Sequence, residues 1–320
     1  MKKIIFVLLI STFLLLLCCK TEHNTRLLIL HAGSLSVPFK QMTEAFMEKY
    51  PKVVVQTEAA GSRTCARKIT ELKSPADVMA SADSAVIKDL LIPQYADFCI
   101  DFATNEMVIM YRKESQYAGQ ITAENWYDIL LRFEAEYGHS DPNTDPCGYR
   151  TLLCWQLAEK FYQIPGLYKK LIKKRRLKNI RPKEVDLLAL LEIGELDFIF
   201  IYRSVAEQHK GLYLVLPDEI NLKSTELTDY YQSARVEISG KSPGETITKK
   251  GAPIVYGITI PKSAQSPKLA ARFIAFILGL EGQHIMKENG QPEIIPAGVD
   301  NFDALPSLLK PLVKEKINET

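Results

Sequence analysis

The chain alternates short apolar runs with segments whose apolar residues recur at helical spacing. Leu27 to His31 reads as a buried strand, and Phe39, Met42, Phe46 and Tyr50 then line one face of a helix with Pro38 near its start. Val53 to Glu58 is a second strand, followed by a short helix carrying Ile69 and Leu72. Val78 to Ala80 is a third strand, with a helix through Ile87, Leu90 and Leu91 after it. Further on, Met107 to Tyr111, Asp197 to Tyr202 and Ile254 to Ile260 read as strands. Asn125 to Arg132, Tyr149 to Tyr162, Val185 to Leu191, Leu269 to Leu278 and Glu281 to Asn289 read as helices. Ser266 and Pro267 open the fourth of these, and Gly290 closes the last. Repeated strand–helix units predict an α/β fold with a mostly parallel sheet covered on both faces.

The apolar pattern has one exception, at the start. Lys2 and Lys3 precede a run, Ile4 to Leu17, that is apolar except at Ser11 and Thr12, and Cys18, Cys19 and a polar stretch follow. This is the order of a secretory signal, and the run is shorter than the roughly 20 residues a spanning helix needs. Residues 1–18 are expected to be removed. Cys19, with the small Cys18 before it, is the expected lipidation site, giving an exported protein that is lipid-anchored at the cell membrane or periplasmic. Four cysteines then remain, Cys65, Cys99, Cys147 and Cys154, for which three full pairings are open.

Two strand-to-helix turns carry the candidate chemistry. His31-Ala32-Gly33-Ser34 follows the first strand and Ala59-Ala60-Gly61-Ser62 the second. Glycine lets backbone approach a ligand, serine offers a hydroxyl, and a helix N-terminus adds free N–H groups, so the pair reads as an anion cradle. Such turns lie at the carboxyl ends of strands, where open α/β sheets bind ligands. Taken alone, Asp145 reads as a helix cap, Glu184 as a first-turn acid and Tyr202 as a core tyrosine. His31, His139, His209 and His284 are scattered and read as structural, and no Cys/His cluster has zinc spacing.

A formal net charge of +2 argues against a dedicated nucleic-acid binder. Nine Lys or Arg residues nevertheless crowd between Lys169 and Lys183. They read as a solvated helix face, or as a field guiding anions inward.

The strings HAGSLSVPF (31–39), EAAGSRTCARKITEL (58–72), ENWYDIL (124–130), DPNTDPCGYRTL (141–152), RPKEVDLLALLE (181–192), YRSVAEQH (202–209), LPDEINL (216–222) and PIVYGITIPK (253–262) resemble the archaeal-type tungstate/molybdate-binding proteins. The similarity runs from about Leu27 to Pro296. It departs before RPKE, where a compact basic run, Lys169 to Arg176, replaces a longer insertion. The resemblance implies a type II periplasmic-binding-protein fold, two α/β lobes joined by two crossing hinge strands. Lobe one would be 26–103 plus 252–320, and lobe two 104–251. It implies a ligand site in the cleft made by Gly33, Ser34, Ser62, Asp145, Pro146, Cys147, Glu184 and Tyr202, with Asp145 and Glu184 reaching the molybdenum or tungsten of the oxyanion. It also implies ABC permease and ATPase subunits as partners, a monomer, no enzymatic activity and no cofactor besides the bound ligand. Two alternatives stay open: another tetrahedral oxyanion such as sulfate or phosphate, and a hydrolase using Asp145 and Glu184 as acid and base.

Overall fold

The structure, a computed structural model, describes residues 25–242 and 244–316. The signal segment 1–18 and Cys19 lie outside the described residues. The chain begins in one lobe with β1 (Thr25–Ala32), α1 (Ser36–Lys49), β2 (Val53–Ala60), α2 (Ser62–Thr70), β3 (Val78–Ser81), α3 (Ser84–Leu90) and β4 (Ile100–Thr104). It crosses through Asn105 and Glu106 into a second lobe. That lobe contains β5 (Met107–Tyr111), α4 (Trp126–Leu131), β6 (Tyr137–Ser140), α5 (Pro146–Phe161), α6 (Leu167–Lys174), β7 (Ile180–Arg181), α7 (Asp186–Glu192), β8 (Phe198–Tyr202), α8 (Arg203–Gln208) and β9 (Leu212–Val215). Helices α9 (Asp218–Asn221) and α10 (Thr228–Tyr231) lead to a hairpin of β10 (Arg235–Ser239) and β11 (Thr246–Lys250). The chain then returns to the first lobe as β12 (Val255–Thr259), α11 (Pro267–Leu278), α12 (Leu280–Glu288), β13 (Glu293–Val299) and β14 (Val313–Glu315).

The first lobe is built on a seven-stranded sheet, ordered β14-β13-β4-β12-β3-β1-β2, and the second on five strands, β7-β6-β8-β5-β9. Neither is mostly parallel, which corrects the expectation from the strand–helix alternation. β1 runs parallel to β2 and β3, but β12 pairs antiparallel with both β3 and β4. In the second lobe β6 and β8 are parallel while β5 is antiparallel to β8 and β9. The reason is topological. β12 returns to the first sheet from the other lobe and β5 enters the second straight from β4, so each runs against its neighbours, whereas β4, reached through α3, keeps the direction of β3.

Each lobe has an aromatic centre. Phe46 meets Phe273 edge-on at 5.2 Å in the first, and Trp155 and Trp126 meet Phe200 at 5.5 and 5.8 Å in the second. Such pairs add about 1 kcal/mol beyond the area they bury. α2 stops at Thr70, and Lys73 takes a left-handed φ of 53°, so Leu72 falls beyond the helix and stands exposed rather than on its apolar face. The basic run folds as α6 and the turn after it. Leu167 and Leu171 are buried while Lys169, Lys170 and Lys173 face solvent, the arrangement of a solvated amphipathic helix. All four cysteines are free and buried. Cys147 and Cys154 sit about two turns apart on α5, roughly 10 Å along the axis, too far for a disulfide.

Candidate functional site

β1 and β2 are parallel and in register, with Ala32 directly beside Ala60. Their carboxyl ends therefore deliver Gly33-Ser34 and Gly61-Ser62 side by side, each at the start of a helical turn. β3, on the other side of β1, ends at Ser81 and brings Ala82 and Asp83 to the same edge. The second lobe faces this edge with Asp145 at the N-cap of α5, Glu184 just before α7, and Tyr202 at the end of β8. The two lobes touch here without clearance. A Cβ built on Gly61 would lie 2.3 Å from the Thr144 carbonyl oxygen, and one on Gly33 would lie 3.1 Å from both Glu184 carboxylate oxygens.

Three hydroxyls at the site each accept a hydrogen bond from behind. Ser62 Oγ accepts from the Ala82 N–H at 3.0 Å. Tyr202 Oη accepts from Arg150 Nη1 at 2.8 Å. Ser34 Oγ accepts from Tyr256 Oη at 2.8 Å, and Tyr256 itself accepts from Asn105 Nδ2 at 3.1 Å, which fixes the direction of that relay. A hydroxyl has one proton to give. None of the three gives its proton to an acceptor among the described residues, so each O–H is free to donate to an oxo group. Ser34, Ser62 and Tyr202 are all fully buried.

Between these donors stand two acids. Asp145 accepts the Glu184 N–H on Oδ2 at 2.9 Å and the Cys147 N–H on Oδ1 at 3.4 Å, so it caps α5 and ties the 141–145 loop to the 181–184 segment. Glu184 is 1% exposed, yet among the described residues neither of its carboxylate oxygens meets an N–H or hydroxyl donor, only the carboxyl of Asp145. Burial pushes both carboxyls up from their ordinary range. The charge of Asp145 and the close contact of the two side chains push Glu184 further, while on Asp145 the Glu184 and Ser140 side chains, and then the N–H groups of Cys147 and Glu184, partly offset the shift. A buried acid with both oxygens unpartnered is costly unless something coordinates it. Pro146 has no N–H and sits buried at the first turn of α5, where its fixed φ suits the helix start.

The structure thus brings Gly33, Ser34, Ser62, Asp145, Glu184 and Tyr202 to one interlobe cleft, with Pro146 and Cys147 in the wall behind Asp145. Sequence reasoning missed Arg150, Tyr256, Asn105 and Asp83. Arg150 is 3% exposed and its Nη1 reaches the Ala82 carbonyl at 2.7 Å as well as Tyr202. Its only signal was a cation inside an otherwise buried helix, Tyr149-Arg150-Thr151. Tyr256 looked like any aromatic on a buried strand.

A two-lobed α/β molecule with an anion-donor cleft at its hinge is a binding protein in architecture. Residues 27–291 match the family described as bacterial extracellular solute-binding protein. Two relatives align along most of their length. An uncharacterized solute-binding protein of Petrotoga mobilis is 50% identical, covering 98% of this chain and 97% of its own. The molybdate/tungstate-binding protein WtpA of Thermococcus kodakarensis is 43% identical, covering 92% and 89%. In fold the chain is similar to the periplasmic molybdate-binding protein of Azotobacter vinelandii (TM-score 0.60, 17% identity, covering 83% of this chain and 98% of that one). It is also similar to the sulfate-binding protein SubI of Mycobacterium tuberculosis (TM-score 0.61, 13% identity, covering 84% and 87%). The chain belongs to the bacterial extracellular solute-binding proteins. It is an exported component of an ABC transporter that binds a solute rather than transforming one, and the transporter's permease and ATPase subunits are its partners.

Proposed function

We propose that the cleft binds tungstate or molybdate, with Ser34, Ser62, Tyr202 and the backbone at Gly33 on the oxo groups and Asp145 and Glu184 approaching the metal. The observation that carries this is Glu184, whose two buried carboxylate oxygens meet no donor among the described residues and face only a second buried acid. Two carboxylates repel a simple dianion by several kcal/mol in a cleft of reduced dielectric. A hexavalent tungsten or molybdenum centre is hard and accepts extra oxygen ligands, which turns that repulsion into coordination. Sulfur in sulfate and phosphorus in phosphate do not expand in this way, so the same acids reject them. The names of relatives at 43% and 42% identity support the reading. Pro146 and Cys147 form the wall that holds Asp145 in place. Lobe one is taken as 26–103 plus 252–320 and lobe two as 104–251. Acylation at Cys19 anchors the protein to the membrane, and it works as a monomer.

Calorimetric titration of Asp145→Asn and Glu184→Gln with tungstate and sulfate tests the coordination. Each substitution is expected to weaken tungstate at least about tenfold, a loss of about 1.4 kcal/mol, and to relax the rejection of sulfate. Wild-type affinities for both anions in both variants would sink the coordination idea.

A further inference from the structure

Asp83 belongs to the first lobe, but its carboxylate is held by side chains of the second. Tyr149 Oη donates to Oδ2. Arg150 Nη2 lies 3.6 Å from Oδ1, and Lys249 Nζ lies 3.9 Å from Oδ2 and 2.8 Å from the neighbouring Asp89. Tyr149 and Arg150 come from α5 and Lys249 from the β10–β11 hairpin, all reached only after the chain has crossed at Asn105. The residue before Asp83 completes the link. Ala82 gives its N–H to Ser62 and takes Arg150 Nη1 on its carbonyl, and the same Nη1 donates to Tyr202. Ser62, Ala82, Arg150 and Tyr202 therefore form one hydrogen-bonded line from a donor on the first lobe to a donor on the second.

We infer that Asp83 is the keeper of an interlobe latch closed by Tyr149, Arg150 and Lys249, and that Arg150 makes the latch sense the ligand by positioning the Tyr202 hydroxyl. This rests on the reading of the cleft as an oxyanion site and says how that site holds its cargo. The contacts border a cavity of about 690 Å3 between the hairpin, α3 and α5, lined among others by Asp83, Asp89, Tyr149, Arg150 and Lys249. Water can therefore reach the pair as the lobes part, so a hinge motion breaks the latch without leaving charges in an apolar core. Burial alone would raise the Asp83 carboxyl, but Lys249 and Arg150 outweigh it and hold the group at about 2. The keeper is charged throughout the physiological range. A latch made only in the closed form slows release and leaves encounter alone, because encounter precedes closure.

Asp83 also caps α3 by accepting the Ala85 N–H at 3.0 Å. Asparagine caps as well as aspartate, so Asp83→Asn removes the charge and keeps the helix start. Stopped-flow binding of tungstate should show dissociation from Asp83→Asn and Lys249→Met accelerated about tenfold or more. Association should change less than about threefold. Arg150→Lys should recover part of what Arg150→Met loses, since it restores the charge but not the two bonds from Nη1. Small-angle scattering at saturating tungstate should show a larger radius for Asp83→Asn than for wild type. Wild-type dissociation rates in Asp83→Asn would overturn the latch. Should the wild-type protein bind neither tungstate nor molybdate, the tungstate or molybdate reading falls by itself. Dissociation of whichever oxyanion from a panel raises the melting temperature then decides the latch: acceleration in Asp83→Asn supports it, and a wild-type rate overturns it.

Discussion

Tyr202 is fully buried at the end of β8, where a tyrosine would serve as well for packing as for binding. What separates the two roles is its hydroxyl, which accepts from Arg150 and keeps its own proton free for a ligand. Tyr202→Phe keeps the ring and removes that donor. Oxyanion affinity is expected to fall about tenfold to a hundredfold, as for a lost hydrogen bond to a charged group, with little change in melting temperature; calorimetry beside a thermal melt checks it. Glu184 poses the same question in reverse. The sequence alone makes it a first-turn acid, yet α7 begins at Asp186 and Glu184 lies before the helix, opposite Gly33. Gly33→Ala would place a methyl 3.1 Å from both of its oxygens, in the space where the two lobes present their ligand groups. Binding should be lost in titration while the fold, whose β1 hydrogen bonds are untouched, melts normally.

At the level of elements, most of the first lobe was legible in the sequence because β1, β2 and β3 are apolar runs each followed by a helical period. The parallel register that sets Ala32 beside Ala60 then brings the two Gly-Ser turns together. The crossing strand β4 (Ile100–Thr104) was not legible. Asp101 interrupts its apolar run, and it is buried against the ε-amine of Lys316 from the far end of the chain. The β10–β11 hairpin was also missed. Its β11 alternates exposed and half-buried residues and reads as surface, although Lys249 and the Ser239 backbone reach across to the first lobe. For the site, the donors were visible as motifs. The groups that aim them, Arg150, Tyr256 and Asn105, were invisible because their roles depend on contacts 52 to 222 residues away in sequence: Arg150 with Tyr202, Asn105 with Tyr256 and Tyr256 with Ser34. The second turn gives an element-scale prediction. A methyl at Gly61 would sit 2.3 Å from the Thr144 carbonyl across the cleft, so each lobe folds but the two cannot seat. Gly61→Ala should keep a near-normal melting temperature without ligand and lose most of the ligand-induced rise.

Over the whole molecule, pH acts through groups that close-packed lobes bury. Burial holds His31 and His139 down at about 4, each donating from Nδ1 to a backbone carbonyl. Unfolded histidine protonates near 6.5, so between about pH 6.5 and 4 the unfolded chain binds more protons than the folded one. Each imidazole then contributes up to about 3 kcal/mol that is fully present above pH 6.5 and lost as pH falls toward 4. The raised Asp145 and Glu184 carboxyls pull the other way, adding stability at low pH and losing it as pH rises. The histidine contribution is therefore read as a difference. Between pH 7 and 4.5, denaturant midpoints of wild type should fall relative to His139→Gln; parallel curves would refute it. The four thiols carry a further consequence for life outside the cytoplasm. All are buried in the lobes, and burial pushes Cys65 and Cys99 up to about 12 and Cys147 and Cys154 higher, so almost no thiolate exists to be attacked. Once folded, such a chain offers no thiol among the described residues to an oxidant, so alkylation by iodoacetamide should leave these four cysteines untouched until denaturant opens the lobes.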